Sequence, residues 1–395
     1  MDRRIQQMSR WINILGFTAL LLKRYWRSTL SLIVVYSIIV FAFASVLMFI
    51  QSLSYESGIV LRSLPDVWVQ RVIGGRLVPI DNDVTAGLAK IRGVSCVHQR
   101  VWGYYFDEGT GGVFTIVGSD SIPDGLTMLA GKGLTSFDTA GVAVCGTGYL
   151  ELHGVSIGSD IIFTDTERHL RTLRITGVFT SSSDLITRDL IVVPYGEARR
   201  LLGIGNTSST DIAIDVANPD EVETVVRKIS QRIPNVRVVT REQLISTYQS
   251  LFGYRGSLFL FGLMISLLAF VILAWQKAGG LSSKEQREIG IQKAVGWSIP
   301  DIMIQKFCEG AIVSINATLL GLIAAYCHVF FFNAPLLKPF LVGWSVVFPG
   351  FHLLSHLELS SIVLVFFLSV IPYLAATVVP SWKAAISDPA EIMHA

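Results

Sequence analysis

The chain has 395 residues, 51% of them hydrophobic and only 16% charged, with a net charge of +2. A soluble domain carries about 25% charge, so this composition leans to the membrane. Its mean hydropathy is +0.54, and its small basic excess gives no reason to invoke nucleic acid, because the cations are sorted by topology.

Charged residues are missing from 28–55, 256–276, 310–337 and 359–382. Each gap exceeds the roughly 18 apolar residues that identify a transmembrane helix. Four spans are expected, at 29–50, 257–276, 310–332 and 360–379. The block 56–255 carries 19 Lys and Arg against 22 Asp and Glu. Outside it, six cations precede the first span (Arg3, Arg4, Arg10, Lys23, Arg24, Arg27) and five lie between the second and third (Lys277, Lys284, Arg287, Lys293, Lys306). The excess of cations marks both termini and the 277–309 loop as cytoplasmic and puts the block outside the cell membrane.

In chain order, residues 1–28 are basic and aromatic. The run Trp11–Leu22, between Arg10 and Lys23, suits a helix lying in the inner interface. The first span is too long for a cleavable signal and is read as an anchor. Gln51–Leu61 continues it as a helix outside the membrane.

The extracytoplasmic domain, 51–256, shows a weak internal repeat. Asp66–Val72 reads as a strand, Asp83–Ile91 as a helix and Val94–Gln99 as a strand. Thr210–Val216, Asp220–Arg232 and Val236–Val239 repeat that order. Between them, about 120–205, lies a β-rich insert with short runs at Val142–Cys145, Asp160–Phe163, Leu173–Phe179 and Leu190–Val193, and a helix near Glu197–Leu202. Thr240–Phe252, capped by Thr240, reads as a helical stalk into the second span. The fold class expected is an α-helical membrane protein with four transmembrane helices plus an α+β extracytoplasmic domain, split β-α-β halves flanking a β-rich insert.

Lys284–Trp297 fills the polar gap after the second span. Glu285, Arg287, Glu288 and Lys293 give it a charged face, and Ile289, Ile291, Ala294 and Val295 recur at helical spacing. Gly290 and Ala294, four apart, would leave a shallow spot for another protein surface. Ser298-Ile-Pro-Asp301 resembles a capping box that starts the next helix. The loop 333–359 is read as external or re-entrant, and 380–395 as a second amphipathic cytoplasmic segment.

No catalytic motif is legible. Gly131-Lys132 is followed by Gly133 where a phosphate-binding loop needs Ser or Thr, and no zinc spacing or nucleophile elbow occurs. His352 and His356 could share a helical face, although without a carboxylate partner they are weak metal ligands. Cys96 and Cys145 could pair or stay as thiols, and both readings stay open here.

The order of parts resembles the FtsX-like permeases of the MacB and lipoprotein-release group of ABC transporters. The sharpest motif is Arg287-Glu-Ile-Gly-Ile-Gln-Lys-Ala-Val-Gly296, similar to that family's sequence after its second span. Leu152–Asp160, Ile175–Phe179 and the closing Pro380…Ala384…Asp388-Pro389-Ala390-Glu391-Ile392 are similar to further family patterns. The resemblance implies a non-enzymatic permease subunit without a cofactor of its own, ATP and Mg being held by a separate ABC ATPase. It implies a dimer with a second copy or a homologous permease, in the inner membrane and in contact with its lipids, with a periplasmic adaptor as a further partner.

The coupling residues implied are Glu285, Arg287, Glu288, Ile289, Gly290, Lys293, Ala294, Gly296, Pro389 and Glu391. The function implied is mechanotransmission for export or extraction of a lipophilic, lipoprotein or peptide substrate. The alternative is a transducer that regulates an extracytoplasmic enzyme such as a cell-wall hydrolase.

Overall fold

The computed structural model describes residues 2–62, 64–123, 126–134, 141–181, 187–252, 264, 268, 283–339 and 353–386. The chain forms two compact units. One comprises Met1–Gln51, Tyr254–Ala334 and Ser355–Ala395, and the other Ser52–Gly253 and Pro335–Leu354.

Helix α1 (Asp2–Arg24) leads into α2 (Trp26–Arg62) with one turn residue, Tyr25, between them. The helical ladder persists across the joint: Tyr25 N–H donates to Leu21 C=O and Thr29 N–H to Tyr25 C=O, both at 3.0 Å. The helix expected within 1–28 is present as α1, which packs against a later helix and buries Ile14 and Thr18. The apolar stretch Trp26–Glu56 is longer than the expected 29–50, because no Gly or Pro interrupts the chain from Trp26 to Ser57.

The second unit follows the end of α2. Its strands are β1 (Val67–Ile73), β2 (Arg76–Val78), β3 (Ile80–Asp81), β4 (Val94–Phe106), β5 (Val113–Gly118), β6 (Leu126–Gly131), β7 (Val142–Gly146), β8 (Asp160–Thr164), β9 (Leu170–Ser181), β10 (Leu190–Val193), β11 (Ser208–Ser209), β12 (Asp211–Val216) and β13 (Val236–Thr240). Its helices are α3 (Asp83–Leu88), α4 (Thr147–His153), α5 (Tyr195–Leu202), α6 (Val222–Arg232) and α7 (Arg241–Phe252). The main sheet runs β13-β1-β12-β4-β5-β10-β7-β9-β6, with β2 on β1 and β8 on β9.

β4 is shared along its length: Val94–Arg100 pairs with β12, and Val101–Phe106 pairs with β5. At one end of the sheet, α3 and α6 supply Leu88, Val225 and Ile229 to a core with Val67, Val69, Ile212 and Ile214. At the other, α4 and α5 cover Phe114, Ile116, Phe163, Ile175 and Ile191. The opposite face of that half buries Val144, Phe179 and Val192 under Leu126 and Met128. Period-2 alternation sorts the aromatics of β4: Tyr105 meets Phe163 at 5.0 Å in the core, while Tyr104 and Phe106 face out.

Cys96 is exposed on β4 and Cys145 is buried in β7, and both are free thiols. Burial pushes the Cys145 thiol up to about 12. His356 faces Glu358 at 3.9 Å, whereas His352 lies outside the described residues.

The helical unit closes with α8 (Ser283–Ala294), α9 (Ile299–Tyr326) and α10 (Leu359–Ile386), and a π-turn at Cys327–Phe331 extends α9. Among the described residues, three helices are long and apolar enough to cross a membrane: Trp26–Glu56, Ile299–Phe331 and Leu359–Trp382. The fourth expected span, 257–276, lies outside them except for Met264 and Leu268, both helical.

Small and hydroxylated residues hold this bundle, as lipid-embedded helices require. A Cβ placed on Gly321 would sit 2.7 Å from Val40, so α9 and α2 approach closely there. Ser37 donates to Ala317 C=O at 3.1 Å, Thr318 bonds Ser369 at 2.8 Å, and the Tyr36 hydroxyl donates to Ser369 C=O.

Candidate coupling surface

Two local signals place α8. At its end, Trp297 N–H donates to Gln292 C=O and Gly296 N–H to Lys293 C=O, both at 3.0 Å. This is the paired bonding of a Schellman cap, and Gly296 takes the positive φ (97°) that the cap demands. The chain restarts as α9 through a reciprocal capping box between Ser298 and Asp301, with Pro300 in the first turn. The turn between the two helices is thereby tightly specified.

One face of α8 belongs to this chain. Ile289 is fully buried with Ile302 and Ala385, and Trp297 packs against the three. The Phe17 ring of α1 meets Trp297 at 5.0 Å. Below them runs a polar seam: Gln292 donates to Gln305 at 3.5 Å, Gln305 to Glu309 at 3.4 Å, and Lys306 to Glu309 at 2.8 Å. The Glu288 carboxylate near Tyr25 raises the tyrosine's pKa, through hydrogen bonding and then charge.

The opposite face is open. Arg287, Ile291, Ala294 and Val295 are exposed, at the three- and four-residue spacing that aligns them along one side of a helix. Val295 is 75% exposed.

The residues expected to form one coupling patch therefore divide. Arg287 and Ala294 lie on the open strip, with Gly296 at its exposed end. Glu288 and Lys293 are half-buried flanks. Ile289 and Gly290 are buried, so the Ile289 side chain fastens α8 to α9 and α10 and is not offered to a partner. The Glu285 side chain, Pro389 and Glu391 lie outside the described residues. On α10, Trp382 and Ile386 are exposed one turn apart, beside the buried Ala385.

A second constellation was not legible in the sequence. Asp66, at the foot of β1, binds Arg241 at 2.8 Å and accepts Val216 N–H at 2.9 Å, while its carbonyl accepts Arg241 N–H at 2.9 Å. Thr240 and Gln243 exchange capping bonds at 3.2 and 3.3 Å to open α7. The end of α2 and the start of α7 are thus tied through one carboxylate. Glu56, fully buried near the end of α2, accepts Leu354 N–H, and Ser52 donates to Leu354 C=O. The faint sequence signal for Glu56 is that it is the first acid after Asp2.

Residues 29–232 match the MacB-like periplasmic core domain, and residues 258–389 match the FtsX-like permease C-terminal domain. The chain belongs to the FtsX/MacB-type permease family. The permease is similar to the solved periplasmic region of MacB from Actinobacillus actinomycetemcomitans, at 14% identity and TM-score 0.34, over 48% of this chain and 95% of that one. It is also similar to the extracellular domain of the ABC-type transporter YknZ from Gram-positive bacteria, at 12% identity and TM-score 0.31, over 45% and 99%. No curated protein matches it.

As a family member, the permease is the membrane component of an ABC transporter and works with a separate ABC ATPase subunit. Its apolar helices and its MacB-like domain fit an inner-membrane protein with an extracytoplasmic domain.

Proposed function

We propose that this permease converts ATP-driven closure of its ATPase partner into motion of the extracytoplasmic domain, with α8 as the receiving element. The observation that carries the reading is the two-faced burial of α8. Ile289 and Gln292 fasten it to its own bundle, while Arg287, Ile291 and Val295 stand open. A helix held on one side passes a push to α9 and α10, where a helix on a loose tether would absorb it. α2 supplies the output, running unbroken from Trp26 to Arg62.

On this reading the termini and α8 are cytoplasmic, and 257–276 is a fourth span. Pro389 and Glu391 extend the ATPase contact, with Glu285, Glu288 and Lys293 at its edge. The permease acts as a dimer, with a second copy or a homologous permease, and serves export or extraction of a lipophilic, lipoprotein or peptide substrate.

The test is co-purification of the full chain with its cognate ATPase, comparing wild type with Arg287→Glu plus Val295→Asp. Both positions are exposed, so the permease folds and inserts normally while a reversed charge and an apolar-to-acid change meet the partner. The expected result is loss of the complex, since like charges at an interface cost several kcal/mol. Unchanged association would remove α8 from the contact.

A further inference from the structure

The joint between α1 and α2 has a composition that the coupling role does not use. Lys23, Arg24 and Arg27 place three cations within five residues, and no acid occurs from Arg3 to Tyr55. All three are exposed, as are Tyr25 and Trp26 between them. Arg24 lies 5.6 Å from the Tyr25 ring centroid and Arg27 5.6 Å from that of Trp26, each cation resting on its neighbour's face. The apolar stretch that begins at Trp26 fixes the depth of this group at the edge of the hydrocarbon layer. Aromatic rings prefer that level, and clustered cations next to a span attract anionic headgroups.

We propose that Lys23, Arg24 and Arg27 bind anionic phospholipid headgroups. The inference rests on the cytoplasmic placement of the joint given above. Tyr25 and Trp26 hold Arg24 and Arg27 beside the start of the apolar stretch, at the level of headgroup phosphates.

The experiment uses the full-length permease in phosphatidylcholine nanodiscs, with or without phosphatidylglycerol, and needs no ATPase. Native mass spectrometry counts retained phosphatidylglycerol. Wild type should retain it, and each of Lys23→Gln, Arg24→Gln and Arg27→Gln should lower retention roughly fivefold.

Retention unchanged in a variant that combines all three substitutions would overturn the site. Because this readout does not involve the ATPase, failure here leaves the coupling reading untouched, and an ATPase that ignores α8 leaves the lipid site untouched.

Discussion

Gly296 is the residue on which the end of α8 turns. Its φ of 97° lies where a Cβ meets the neighbouring carbonyl, so Gly296→Ala should cost about 1–2 kcal/mol locally. Faster hydrogen exchange at Gly296 and Trp297, with the rest of α9 unaffected, is the expected reading. Asp107 makes a pH prediction at the same scale. Desolvation alone would raise its carboxyl, but hydrogen bonds from the Thr110 hydroxyl, His153 and Gly109 N–H outweigh it and hold the group below its ordinary 3.8. A depressed folded value means that the stabilisation is complete above the unfolded value and fades as the pH falls through the folded one. Tryptophan fluorescence of the permease should therefore show an acid transition below about pH 4 that weakens in Asp107→Asn. Asp66→Ala removes a charged acceptor from Arg241 and Val216 N–H, a loss of about 1–3 kcal/mol, read as faster exchange at the start of α7 and in β12.

Among the elements of the helical unit, α9 carries a close-packing demand. Gly321 faces Val40 with no room for a methyl group, so Gly321→Leu should force α9 from α2 and destabilise the bundle by about 1–3 kcal/mol. The thermal unfolding midpoint of the detergent-solubilised permease should fall, while Leu320→Ala, on an exposed face, should leave it in place.

The elements themselves were largely legible. Strands at Val142–Cys145 and Leu190–Val193 and the helix near Glu197–Leu202 stand within two residues of where alternation and helical spacing put them. β5, β6 and α4 were not legible. β5 reads as one continuous apolar patch with a single Thr, β6 mixes Gly and Met, and α4 begins at a Gly-Thr-Gly run whose propensity opposes a helix. The length of β4 was missed because its two halves serve different partners and show no single period.

For the whole molecule, the coupling reading makes α2 a shaft from the bilayer into the external unit. A three-glycine insertion after Gln51 should leave ATPase association intact and abolish any ATP-dependent change in the external domain, as measured by distances between spin labels on β5 and β8. A response that survives the insertion would assign the output to a different element.

Membrane character and the family were legible in the sequence alone, because charge gaps are set by the bilayer and contiguous motifs need no tertiary contact. The Arg287–Gly296 motif located α8 for the same reason: it is contiguous. Which face of that helix is free was decided only by tertiary structure. Ile289 and Ile291 are equally apolar and two residues apart, and only the positions of Ile302 and Ala385, far away in the chain, bury the first and leave the second to solvent.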